Sequence, residues 1–476
     1  MTPLIATPYV ARTLTTTGVG KYSFSYSIVT YFMLFAALGF GYYAQREIAK
    51  NQGDKYKQSK TFYEIIIARF FSVIPALLLY FALYFLGIFG DYSVLMLVLS
   101  INIISTLFDI TFFFQGNESF GIIVLVNTFV RILGIVLIFV FVRKPSDLWI
   151  YTLSQSIILI LSYIILWLFL PKRICKVHLK DINFQRHFIP TLRLFIPTIA
   201  VSVYTMLDKT LIGLLVPGTT TDVNGEIQKI SDIENGYYSE AEKLVKMALT
   251  IITSLGIVMI PRNSNAIANG NMEEFKTNIQ NAIKFVFFLG IPIMFGLAAI
   301  SLNVCPWFFG EGYEKVPYLI MLFCPLVLFI GLSNVLGIQY LLPQQMDGKY
   351  TISITVGALT NLILNIILIP FLWSYGACIA TIAAEFSVML MMLVFSRKDI
   401  NILKEIIKNW KCILSGLLMF SSIYIIGRYL NSSIINTLIL IICGSLIYFV
   451  LLLILREKYL FKILGNIRKR LSKKNR

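Results

Sequence analysis

Apolar stretches long enough to cross a bilayer recur along this chain almost without pause, and most connections between them are too short to fold alone. A bilayer core about 30 Å thick needs about 20 predominantly apolar residues per helix. The pattern predicts spans over 23 to 45, 62 to 89, 92 to 114, 119 to 142, 147 to 171, 188 to 216, 238 to 261, 277 to 303, 316 to 342, 350 to 371, 374 to 396, 409 to 429 and 433 to 455, preceded by an apolar stub from Met1 to Val10. The expected fold class is an all-α polytopic membrane protein.

Composition agrees. Hydrophobic residues make up 57% of the chain and charged residues 14%, against about 45–50% and about 25% in soluble domains. The formal net charge of +17 could point to nucleic acid, but the basic residues alternate sides of the membrane. They crowd the loop after the first full span (Arg46, Lys50, Lys55, Lys57, Lys60), the connection from Pro171 to Arg193, the loop near 397 to 411 and the tail from Arg456 to Arg476. The opposite connections carry only Lys21, Arg143, Lys144, Lys229, Lys315 and Arg428. By the positive-inside rule the rich loops and the C-terminus are cytoplasmic. The excess charge then reads as topology and contact with membrane lipids, with no nucleic-acid partner. Six scattered cysteines without CxxC spacing predict packing, not metal or disulfide chemistry.

A weak internal repeat organises the chain. Gly20, Tyr22, Ser23 and Arg46 recur as Gly236, Tyr238, Ser239 and Arg262 at a constant offset, each set bracketing one span. An even number of spans separates the copies, so both halves insert the same way up. The expectation is two six-helix lobes in a parallel repeat plus an appended pair, about 14 helices with the first truncated. The lobes are expected at 1–178 and 187–398, with the helix pair and basic cytoplasmic tail at 405–476.

Ionisable residues inside spans are costly and mark function by default. Thr198, Ser202, Thr205 and Lys209 form one helical stripe with Asp208 beside it, and Ser239, Lys243, Lys246, Thr250 and Thr253 form another. Asn102, Ser105 and Asp109 share a face, as do Ser353, Gly357, Asn361 and Asn365; Arg131 and Glu385 sit near mid-span. Interhelical glue is the alternative for the asparagines and acids, at about 0.6 kcal/mol each. Several cations near one cavity repel unless an anion visits. No P-loop, HExxH or GxSxG is present, and His178 and His187 lie in the basic connection, so neither an enzyme nor a cofactor is expected.

The run from Phe108 through Asp109 to Gly116, with Glu118 and Phe120, resembles a motif of bacterial polysaccharide repeat-unit flippases of the Wzx type. These belong to the multidrug/oligosaccharidyl-lipid/polysaccharide exporter superfamily. Further matches are Thr7 to Arg12, Tyr204 to Lys209, Gly236 to Ser239 with Ala241 to Lys243, and Gly337 to Pro343. The resemblance implies fourteen helices in two bundles that rock around a central cavity. It implies an undecaprenyl-pyrophosphate-linked oligosaccharide as substrate, flipped to the outer leaflet of the bacterial plasma membrane for O-antigen or capsule synthesis, with a polysaccharide polymerase as candidate partner. It places Arg12, Arg46, Lys209, Lys243 and Arg262 at pyrophosphate-binding positions; Arg131 and Lys246 join them from mid-span and from the second stripe. Asp109, Asp208 and Glu385 are expected to couple transport to a proton or sodium gradient or to neutralise nearby cations. Against the family pattern, the first helix is expected to reach about half-way across the core.

Two other functions compete. A cation-coupled drug exporter of the same superfamily would want an acidic cavity, whereas the stripes lean basic. A membrane glycosyltransferase or polymerase would need an external loop or cytoplasmic domain with catalytic carboxylates, and the longest polar external segment, Gly218 to Asn235, has no convergent pair.

Overall fold

A computed structural model describes residues 2–461 apart from 219, 224, 225, 398 and 401, together with 465. The basic tail from Arg468 onward lies outside the described residues, as do the side chains of Thr198 and Ser202 on the first stripe.

Helix α1 (Thr2–Ala37) breaks at Thr15, where φ is 61° and ψ is 172°. The expected stub is therefore helical from Thr2 to Leu14, and the following span begins near residue 16, not 23. Packing explains the shift, because Val10, Leu14 and Val19 join Ile138 and Val142 in one apolar cluster that holds the polar threonine run in helical form. After α2 (Phe40–Lys50) come α3 (Lys55–Phe85), whose N-cap Asp54 accepts from the Lys57 amide at 3.0 Å, then α4 (Ser93–Phe108), the short α5 (Thr111–Gly116), α6 (Phe120–Phe141), α7 (Leu148–Leu168) and α8 (Phe188–Leu215). The polar segment from 218 to 235 carries an antiparallel hairpin, β1 (Thr220–Val223) against β2 (Glu226–Lys229), and the start of α9 (Ile230–Ala268).

The remaining elements are α10 (Met272–Phe309), α11 (Val316–Phe323), α12 (Leu326–Ser333), a π-helical turn pair (Asn334–Leu341), α13 (Asp347–Ser396), α14 (Ile402–Lys408), α15 (Trp410–Arg428) and α16 (Ile434–Ile454). Helix α13 breaks at Trp373 (φ 54°, ψ −126°), where the sequence predicts one span ending and another beginning. Among the described residues, nine helical segments are long and apolar enough to cross a membrane. Their outer faces are apolar, as with Leu78, Phe85, Leu125 and Ile442, while Glu64, Arg69, Asp208 and Asn361 are buried. That distribution suits a hydrocarbon solvent, and the protein is a multi-pass membrane protein.

Packing divides the chain into two compact units, Met1–Gly236 and Tyr237–Arg476. The connection expected to separate the lobes is docked on the first unit. Glu64 of α3 accepts from the Asn183 amide at 2.9 Å, from the Arg186 guanidinium and from His187 Nε2 at 3.0 Å, and the Tyr43 hydroxyl donates to His187 Nδ1 at 2.7 Å.

Within the first unit, the glycines that head the repeat pack on one another's helices. A Cβ on Gly20 would lie 1.7 Å from the Asp232 carbonyl oxygen, and one on Gly236 would lie 2.2 Å from that of Thr16. Thr16 and Asp232 are separated by the same offset as Gly20 and Gly236. The contact is therefore self-complementary in the sense of a two-fold interface, and only glycine lets the backbones approach this closely.

Candidate functional site

A buried polar knot lies around Arg69, which sequence reasoning passed over. Arg69 sits at the middle of α3 and is 2% exposed. Between α4 and α5 the chain unwinds at Asp109 (φ −68°, ψ 103°), freeing carbonyls that would be unpaired in hydrocarbon. Arg69 donates to the Thr106 carbonyl at 3.2 Å and to that of Asp109, while the Trp167 indole donates to the Phe108 carbonyl at 2.8 Å. The Asp109 carboxylate accepts from the Thr111 amide at 2.9 Å and its hydroxyl at 2.6 Å, in a local turn that leads into α5. Phe112 and Phe40 flank the guanidinium, with ring centroids 5.2 and 5.9 Å from Cζ. Asp109 thus has a structural task. The signal for Arg69 was available in the sequence, a lone cation within Ile65 to Pro75, by the same rule that singled out Arg131.

The other predicted cations are placed differently. Arg46 on α2 leaves 57% of its side chain exposed, with Glu47 at 4.0 Å, and lines a cleft of about 620 Å³ with Gln115, Gly116, Glu118 and Phe120. Arg12 lines a second cleft of about 630 Å³ with Tyr9, Phe139, Arg143 and Lys144. These clefts sit at the two ends of α6, about 30 Å apart for a helix of that length. Arg12 and Arg46 therefore do not meet around one phosphate, contrary to the expectation of a shared site; the reason is that Arg12 follows the stub to the far end of α6. Arg131 is exposed at the midpoint of α6.

Lys243 and Lys246 carry their own carboxylates. Lys243 lies 2.5 Å from Glu240 and Lys246 2.6 Å from Glu242, one turn back along α9. The stripe is therefore less cationic than its lysines suggest, because the sequence places an acid three or four residues before each. Arg262 keeps 60% of its side chain exposed, with Glu274 at 3.5 Å. Lys209 on α8 is half-buried, and its carbonyl accepts from Asn235 Nδ2 at 2.7 Å. Asp208 is buried and Glu385 half-buried, and both are engaged with neighbours. The Asn365 amide donates to Asn361 at 3.0 Å, so these two asparagines pair within α13. No group of histidine, cysteine and acidic side chains suited to a metal occurs among the described residues.

A further acid emerges at the end of the first unit that carries the hairpin. Asp232 is 1% exposed and accepts from the Tyr92 hydroxyl at 2.8 Å, beside the Lys229–Asp91 ion pair at 2.8 Å. Burial pushes its carboxyl above the ordinary aspartate range, with the Tyr92 bond and Lys21 and Lys229 pulling the other way. No apolar periodicity marks Asp232, which follows a polar stretch and falls in the first turn of α9.

Known proteins share this architecture. The solved structure of the lipid II flippase MurJ in an inward closed conformation is similar over 96% of this chain and 97% of its own, with a TM-score of 0.72 at 19% identity. An inward-facing multidrug resistance transporter of the MATE family, in the MOP superfamily, is similar over 89% of this chain and 95% of its own, with a TM-score of 0.63 at 13% identity. In sequence, the protein called "Putative O-antigen transporter" in Escherichia coli (strain K12) is 24% identical over 404 residues, covering 83% of this chain and 93% of that protein. Its namesake in Shigella dysenteriae is 23% identical over 400 residues, covering 82% and 94%. The profile of the family described as "Polysaccharide biosynthesis protein" matches residues 1–267, which takes in the broken helix at Asp109, the repeat glycines and the motif cations of the first unit, and the chain belongs to that family.

Proposed function

We propose that this protein flips a lipid-linked oligosaccharide across the bacterial plasma membrane. The finer reading is that the lipid is undecaprenyl pyrophosphate, carrying a repeat unit of surface polysaccharide from the cytoplasmic to the outer leaflet by alternating access. In this reading the lobes are 1–178 and 187–398, the segment 405–476 is appended with its C-terminus in the cytoplasm, and a polysaccharide polymerase receives the product. The names of the similar proteins favour a transporter over an enzyme. The observation that carries the reading is the exposure of Arg46 and Arg262, at equivalent ends of the two repeat copies, with their carboxylate contacts at 4.0 and 3.5 Å and, for Arg46, the Tyr43 ring centroid at 6.0 Å. Guanidinium groups held open in this way can bind a pyrophosphate bidentately, which a desolvated diphosphate requires. Lys209 adds to them, whereas Lys243 and Lys246 contribute less because Glu240 and Glu242 neutralise them.

The test is genetic. In cells deleted for this gene, a copy carrying Arg46→Ala and Arg262→Ala should insert at normal levels yet restore little surface polysaccharide. Each lost charge-assisted bond is worth about 1.5–3 kcal/mol, or an order of magnitude in rate. Arg428→Ala, which removes a cation stacked on Tyr424 at 4.8 Å, should change nothing. Normal surface glycan from the double variant would show that these two arginines do not bind the substrate.

A further inference from the structure

Arg131 poses a problem that the family assignment does not solve. It stands at the midpoint of α6, exposed, among Leu125, Phe129 and Ile132, which are 65%, 61% and 56% exposed. Among the described residues it makes no hydrogen bond, ion pair or ring contact. An unpaired guanidinium at mid-bilayer is costly, and such residues persist where something charged passes them.

Two other cationic places lie on the same helix. At its start, Phe120 borders the cleft that holds Arg46. At its end, Phe139 borders the cleft that holds Arg12, Arg143 and Lys144. At about 100° per residue, Phe120 lies within about 20° of Arg131 around the helix and Phe139 within about 80°, so all three places open on one side of α6. The axial steps are about 16 Å and about 12 Å.

The charge balance changes along this side. The first cleft holds Glu118 beside Arg46, with Glu47 also near the arginine. The middle holds Arg131 alone. The last is lined by Arg12, Arg143 and Lys144, with no acid among its described lining residues, and the Asp147 carboxylate is turned to the Arg143 and Lys144 backbone amides at 2.9 and 3.1 Å. Its floor is fixed: Tyr9 stacks on Phe139 at 4.3 Å and donates to the Val142 carbonyl at 2.6 Å. Ile5 and Phe139 supply an apolar wall beside the cations, 57% and 40% exposed. Positive charge therefore rises from the Arg46 end to the Arg12 end while the surface between stays apolar, which suits a phosphate head with a hydrocarbon tail.

We propose that the exposed side of α6 is a track for a phosphate-headed lipid, with Arg46, Arg131 and the Arg12–Arg143–Lys144 cluster as successive stations. The inference rests on the flippase reading and adds a route to it. Arg131 is the intermediate station, and the outer cluster receives the head group.

The experiment uses the full chain in proteoliposomes with two probes, a fluorescent disaccharide on a polyprenyl pyrophosphate and a fluorescent phosphatidylglycerol, alongside thermal unfolding of the same preparations. Arg131→Leu should slow transport of the pyrophosphate probe at least tenfold while Tm stays level or rises, because an unpaired charge has left the apolar surface. Arg131→Lys should restore most of the rate. Loss confined to the pyrophosphate probe identifies the track with the transported lipid; loss for both identifies any phosphate head group. Unchanged transport by Arg131→Leu, or a fall in Tm that lysine does not rescue, overturns the track. If Arg46→Ala and Arg262→Ala stop transport while Arg131→Leu does not, the flippase reading stands and the track alone fails.

Discussion

Arg69 and Arg131 lie in the same unit, each near the middle of its helix, and they have opposite surroundings. Arg69 is enclosed, stacked between phenylalanines and donating to carbonyls freed where α4 gives way to α5. Arg131 is exposed and, among the described residues, without a partner. A cation within a span is therefore two different things according to whether the fold uses its donors. Where backbone carbonyls take up one end of the guanidinium, as Thr106 and Asp109 do for Arg69, the residue holds the helices together; where nothing does, its charge is left for a ligand.

The comparison breaks most visibly at Arg69. Arg69→Met should abolish accumulation of folded protein, since removing one partner from a buried charged network costs about 3–5 kcal/mol. Detergent-solubilised yield and unfolding temperature would report it, and a stable Arg69→Met protein with impaired transport would place Arg69 among the ligand-binding cations instead. Next in size is Gly20→Leu. Its side chain would run into the Asp232 backbone, and overpacking of this kind costs about 1–3 kcal/mol. The expected result is a lower Tm and easier cysteine labelling near Thr16.

Asp109→Ala sharpens the contrast from the acidic side. Loss of its two local hydrogen bonds to Thr111 costs about 0.5–1.5 kcal/mol each, so this variant should be less stable than the parent yet still transport. Strict dependence of the parent on an imposed proton or sodium gradient, lost in Asp109→Ala at full stability, would make Asp109 a coupling residue.

The smallest effect concerns the docked connection. Burial, the largest influence, lowers the His187 pKa below its usual 6.5, with Arg186 acting the same way and Glu64 opposing. A group with a depressed pKa in the folded state contributes stability above its unfolded pKa that is lost as pH falls through the folded one. The unfolding temperature should therefore drop as pH falls from about 6.5, and the drop should be shallower in His187→Gln.

Much of this was legible in the sequence. The apolar runs coincide with the nine helical segments that are long and apolar enough to span among the described residues, and Trp373 marks a break where two adjacent runs are separated by only two residues. Gly20 and Gly236 were identified as repeat partners, and they meet in the structure through residues one turn before each. Less legible were features set by side-chain pairing across distance. The spacing of Glu240 to Lys243 and of Glu242 to Lys246 is a local signal that a stripe scored by its cations alone passes over, whereas nothing local says that Arg12 follows the stub to the far end of α6. Glu64 reads as part of an ordinary helix start, and its role appears only when the segment from Asn183 to His187 folds back onto it. Hydropathy fixes depth; it says little about which neighbour a charge will find there.

The central claim is that this chain moves a pyrophosphate-linked oligosaccharide lipid between leaflets, and reconstitution addresses it directly. Purified protein in liposomes holding a fluorescent polyprenyl-pyrophosphate oligosaccharide is treated with an impermeant quencher, and the quenched fraction is followed in time. Exposure of the inner-leaflet label should be faster than in protein-free vesicles, and that difference should be lost in the Arg46→Ala, Arg262→Ala double variant at equal protein content. Equal rates with and without the wild-type protein would contradict the central claim.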